Sequence, residues 1–99
     1  MEKQLSKIEI YDYIIKTYGG DAQHVVAMEE CAELIKAISK YLRTGDIDDI
    51  DNLIEEIADV EIMLEQLKFI HCIDGRVKMT KEDKIQRTYN RIREAVHNG

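Results

Sequence analysis

The chain has 99 residues with 14 basic and 20 acidic side chains, a net charge of −6. That length holds one domain, and the acidity argues against binding nucleic-acid polymers through bulk charge. The absence of proline excludes a turn-rich β protein and favours long uninterrupted helices.

Four helices are predicted in chain order. Ser6-Lys7-Ile8-Glu9 has the form of a capping box, with Ser6 at the N-cap and Glu9 at N3. Ile8, Tyr11, Ile15 and Tyr18 follow at helical spacing, and Gly19-Gly20 stops the helix. Asp21 is expected to cap a second helix that runs to about Arg43. Thr44-Gly45-Asp46 reads as a tight connection, with Gly45 in the left-handed position and Asp46 as the next N-cap. A third helix is expected over residues 47–72. Asp74-Gly75 reads as a turn, and Thr80-Lys81-Glu82-Asp83 as a second capping box opening a fourth helix to about His97. The expected fold is therefore all-α. It is a four-helix bundle-like arrangement with two long central antiparallel helices, in a single domain over residues 1–99.

Cys31 and Cys72 do not form a CxxC pair, and the segment MEKQLSKIEI is too polar for a secretory signal. No apolar run reaches the length of a membrane span. The expectation is a cytoplasmic protein with reduced thiols and no membrane partner.

The carboxylates stand where apolar stripes are expected. On the third helix Leu53, Ile57, Val60, Leu64 and Leu67 form the principal stripe, and Glu56, Asp59, Met63, Gln66 and Ile70 share a second sector beside it. On the second helix Met28, Ala32, Ile35, Ser39 and Leu42 read as the inward stripe. Val26, Glu30, Glu33, Ala37 and Tyr41 lie on the opposite side. A helix apolar on two sides contacts two neighbours, one of which could be a second subunit. A domain this small also gains from assembly, because it buries only about 60–65% of its unfolded surface.

In an antiparallel hairpin turning near Gly45, Glu30, Glu33, Glu56 and Asp59 fall within about one helical turn, ~5 Å, of one another. Each pair is spaced i, i+3 and points one way. Such a group either keeps some members protonated, is solvated as ordinary helix acids, or is neutralised by a divalent cation. All-oxygen ligands select hard ions, Mg²⁺ first, with Mn²⁺ or Ca²⁺ as alternatives.

Glu29-Glu30-Cys31-Ala32-Glu33 followed by Glu56-Ile57-Ala58-Asp59 resembles the EExxE…ExxD signature of the MazG-like all-α nucleotide pyrophosphohydrolases. The likeness covers residues 23–70. It implies Mg²⁺-dependent hydrolysis of a nucleoside or deoxynucleoside triphosphate to the monophosphate and pyrophosphate, in the service of nucleotide-pool house-cleaning. It implies Glu30, Glu33, Glu56 and Asp59 as metal ligands and Glu29 as the group that orients or deprotonates water. It also implies a homodimer or homotetramer with sites near subunit contacts.

Basic residues should complete a phosphate site. Lys84, Arg87 and Arg91 share one face of the fourth helix, and Lys36 and Lys40 are further candidates on the second. Each also reads as a solvated charge. Gln23 lies on the sector of Glu30 and could touch a base or sugar, and Tyr41 could stack on a base or simply pack. Two rival readings stand beside the enzyme. A di-iron bundle requires paired Glu-x-x-His motifs, and only Glu94 and His97 have that spacing. The other is a non-enzymatic helical oligomerisation or regulatory module with an inactive site.

Overall fold

The computed structural model describes residues 4–98, leaving residues 1–3 of the polar N-terminal segment outside the description. Four helices follow in order: α1 (Lys7–Tyr18), α2 (Gly20–Thr44), α3 (Ile47–His71) and α4 (Asp74–Asn98). No strand occurs among the described residues, and no helix is long and apolar enough to cross a membrane.

Local chemistry sets most of the boundaries. The Ser6 hydroxyl accepts from the Glu9 amide and the Glu9 carboxylate accepts from the Ser6 amide, each at 3.1 Å, so the first capping box forms in full. Gly19 ends α1 at φ 94°, where a side chain would be strained. Gly45 closes α2 in the left-handed region, and the Asp46 carboxylate caps α3 by accepting from the Asp48 amide at 3.0 Å.

Two boundaries differ from expectation. Gly19, not Asp21, occupies the N-cap of α2, so Asp21 stands inside the first turn, where its charge faces the positive end of the helix dipole. α4 begins at Asp74 rather than near Thr80. The chain reverses in the left-handed Cys72, at φ 55°. The Ile73 amide then bonds back to the Lys68 carbonyl at 3.0 Å. With the reversal complete there, Asp74-Gly75 needs no turn, and residues 76–79 are free to be helical. Thr80 caps nothing; its hydroxyl donates to the Arg76 carbonyl one turn earlier.

The main packing is the α2–α3 hairpin, and its seam has the spacing of a coiled coil. On α2 the covered positions are Gln23, Ala27, Glu30, Leu34, Ala37 and Tyr41. On α3 they are Asp49, Leu53, Glu56, Val60, Met63, Leu67 and Ile70, with Gln66 buried alongside. Both series alternate steps of four and three, which keeps one stripe facing the partner helix. The expected inward stripe of α2 is therefore the uncovered one: Met28, Ile35 and Leu42 are 65–76% exposed. On α3, Val60 is buried and Leu53 and Leu67 are half-buried as expected, but Ile57 and Leu64 are exposed. Alanines at 27 and 37 let the helices approach closely, which the bulkier Met28 and Ile35 would hinder.

α1 packs across both hairpin helices. Tyr11 is buried there and donates its hydroxyl hydrogen bond to Glu65 on α3. α4 touches only α3, and none of its described residues is buried. Three helices thus pack on one another while the fourth meets only α3. The radius of gyration is 18.0 Å, against about 13 Å for a compact chain of this length. The exposed surface is 8258 Å², whereas a folded monomer of 11.5 kDa exposes about 5,800 Å².

Candidate functional site

Glu30 and Glu56 occupy seam positions, where apolar side chains would otherwise meet, and the seam carries both into the space between α2 and α3. Asp59 flanks them one turn along α3 from Glu56. One oxygen from each of Glu30, Glu56 and Asp59 lies within 4.8 Å of the others. Glu30 and Glu56 are half-buried, Asp59 is exposed, and Glu56 Oε2 is sealed from solvent without a hydrogen-bond partner.

The electrostatics follow from that crowding. Burial is the largest cause raising the Glu30 carboxyl above its ordinary 4.5. The charges of Asp59 and Glu56, a hydrogen bond with Asp59 and the charge of Glu33 add to it. Glu56 is raised too, first by burial, then by Asp59, Glu33 and Glu55, with the Lys36 ammonium acting in the opposite sense. Without a cation, protonation is how such a cluster relieves its repulsion.

The other sequence candidates are placed unevenly. Glu33 is exposed and pairs with Lys36 at 3.9 Å, outside the three-oxygen group but close enough for its charge to act on Glu30 and Glu56. Glu29 is exposed on the adjoining side of α2. Lys40 is engaged with the buried Asp49 at 3.6 Å, beside the Thr44 hydroxyl that also bonds that carboxylate. Tyr41 is a half-buried seam residue.

Gln23 is buried, and its amide donates to Gln66 Oε1 at 2.8 Å, so part of its polar capacity is engaged inside the hairpin. Lys84, Arg87 and Arg91 lie on α4, which has no packing contact with α2, and one chain does not bring them to the acids. Sequence reasoning missed Gln66 as the partner of Gln23 and the Tyr11–Glu65 link. The level fixed by the tight turn at Gly45 was the available signal for the first. Cys31 and Cys72 are both free and exposed.

No family model, curated protein or solved structure matches this chain.

Proposed function

We propose that the chain hydrolyses nucleoside or deoxynucleoside triphosphates to the monophosphate and pyrophosphate, with Mg²⁺ held by Glu30, Glu56 and Asp59 and assisted by Glu33. Mn²⁺ is the alternative ion. The observation that carries this reading is the sealed, unpartnered Glu56 oxygen beside two further carboxylates. An acid at a seam position costs stability unless something accepts its charge. The all-oxygen donor set suits a hard cation. The EExxE…ExxD likeness supplies the reaction.

When bound, Mg²⁺ offsets negative charge on the phosphate oxygens. The chain's own residues do the rest. Lys36 beside Glu33 can pair with a phosphate oxygen at the rim of the cluster. Water attacks the α-phosphorus, the bond to the pyrophosphate oxygen breaks, and a Glu29 carboxylate oxygen takes the water's proton.

A second copy of the chain completes this reading, as a homodimer or within a homotetramer. α4 carries seven basic and four acidic residues, a net +3, so the remainder of the −6 chain carries −9. The surface excess of about 2,400 Å² over a compact monomer matches what an obligate subunit contact covers. A basic helix with no buried residue and α3 as its one neighbour within the chain suits an acidic hairpin from another copy. Lys84, Arg87 and Arg91 would then reach the phosphates across the contact.

The test is pyrophosphate release from a panel of nucleoside triphosphates, with Mg²⁺ or with EDTA. Glu56→Gln and Asp59→Asn are expected to lose both turnover and any Mg²⁺-induced rise in Tm. Glu29→Gln should keep Mg²⁺ binding and lose ~10²-fold or more in turnover. Absence of release by the wild type with either Mg²⁺ or Mn²⁺ would overturn the proposal, leaving the acids as a proton-sharing group in a helical oligomerisation module.

A further inference from the structure

A second cluster of ligand atoms lies at the open end of the hairpin, away from the carboxylates. His24, in the second turn of α2, meets His71, the last residue of α3, across 47 residues of sequence. Their Nε2 atoms are 2.8 Å apart, and the rings stand edge to face at 81°.

The tautomers follow from the partners. His24 Nδ1 lies 2.7 Å from the Gly20 carbonyl oxygen, which only accepts, so Nδ1 carries the hydrogen and donates. His24 Nε2 is therefore left with a bare lone pair, and His71 Nε2 donates to it. A ring whose far nitrogen is tied to a backbone carbonyl has its orientation and tautomer fixed. That outer-shell bond is the usual support of a metal-ligating histidine.

Nitrogens 2.8 Å apart are near enough to share one ion at metal–nitrogen bonds of about 2.0–2.1 Å once the rings turn from their hydrogen bond toward it. Imidazole nitrogens suit Cu²⁺ and Ni²⁺ rather than Mg²⁺, and Cu²⁺ binds such ligands most tightly among the divalent first-row ions.

We propose that His24 and His71 form a two-imidazole site for Cu²⁺ or Ni²⁺, distinct from the carboxylate cluster. The ion replaces the hydrogen bond between the rings. The proton on His71 Nε2 leaves to solvent while Nδ1 gains one, so neutral rings release no net proton. His71 is exposed, which leaves the remaining coordination positions open to water. Because the ligands come from two helices, the bound ion ties the start of α2 to the end of α3 and binds only the folded hairpin.

The experiment uses full-length untagged protein, first stripped with EDTA, then titrated with Ni²⁺ or Cu²⁺ by calorimetry and by thermal melting. A Cys31→Ser/Cys72→Ser background prevents thiol reduction of Cu²⁺. One ion per chain, a raised Tm and two-nitrogen coupling in the Cu²⁺ paramagnetic resonance spectrum are expected. His24→Ala and His71→Ala should each weaken binding about tenfold or more, with the fold checked by circular dichroism, and a His71→Gln variant provides a second, polar replacement. His97→Ala and Glu56→Gln should bind as the wild type does, and millimolar Mg²⁺ should not compete. Unchanged binding in His71→Ala and His71→Gln would overturn the proposal. So would loss of binding in the cysteine-free background or in Glu56→Gln.

Discussion

α3 and α4 are each 25 residues long, yet they are held in place by different means. α3 buries Asp49, Val60, Met63 and Gln66 against its neighbours, while no described residue of α4 is buried. α4 nonetheless carries an apolar stripe, Ile85, Tyr89, Ile92 and Val96, at 54–78% exposure. Propensity alone sustains an isolated helix only marginally. The comparison teaches that α3 finds cover for part of its apolar surface within the chain, whereas the stripe of α4 finds none there and, on the proposed assembly, is covered by a second copy.

The largest effect expected from that difference is on assembly. Ile92→Asp places a charge in the stripe of α4 and should raise the dissociation constant of the oligomer roughly 10³-fold, the scale of several kcal/mol for an unpaired buried charge. Light scattering over micromolar concentrations should show a monomer, with helix content kept by the α2–α3 hairpin. An unchanged mass would break the contrast between the two helices.

Truncation of a seam residue sharpens the same contrast. Met63→Ala should cost ~2–4 kcal/mol in denaturant unfolding. The same substitution at Ile92 should cost stability only in proportion to assembly, so its effect should fade on dilution. Equal, concentration-independent losses at both positions would contradict the division of roles.

The smallest effects are those of protons, and they separate two carboxylate environments within the hairpin. The Tyr11 hydrogen bond is the main cause holding Glu65 below its ordinary range, with Lys7 and Lys68 assisting. Tyr11 is itself pushed up to about 12, first by burial and then by Glu65. The stability from Glu65 is present above its ordinary 4.5 and lost as pH falls through its lowered folded value. Tyr11→Phe should cost ~1–2 kcal/mol at neutral pH, and less as pH falls through the lowered value of Glu65. Glu30 and Glu56 have the opposite sign. Their folded values are raised, so their penalty is absent below 4.5 and grows as pH rises through those values. Glu56→Gln should therefore raise the Tm of the metal-free protein by a few degrees near pH 8 and leave it unchanged near pH 4. Melting curves across that range read both signs.

Much of this was legible in the sequence where one local interaction decides the outcome. The Ser6–Glu9 box, the Gly45 turn and the Asp46 cap each form within four residues. The level of Glu30 with Asp59 followed from that turn, because a tight hairpin fixes the register along both arms. The facing of α2 was not legible in the same way. Both sides of that helix are apolar, and side-chain hydrophobicity favours Met28, Ile35 and Leu42 over Ala27, Ala37 and Tyr41. Close approach between helices favours the two alanines, and it prevails. The start of α4 was obscured because Thr80 and Asp83 have the spacing of a cap. Cys72, a residue type not expected at positive φ, had already completed the reversal.

The two-residue link between α2 and α3 also dictates an order of events. With Gly45 and Asp46 alone closing the loop, the entropy of closure is small and the hairpin can zip outward from its turn. On that order Thr44 and Lys40 reach Asp49 early, Glu30 and Asp59 meet midway, Gln23 and Gln66 late, and the two imidazoles last. The carboxylates therefore come together only after half the seam has formed. Repulsion among them should act mainly on the unfolding limb of a chevron plot, and a cation that relieves it should slow unfolding far more than it speeds folding.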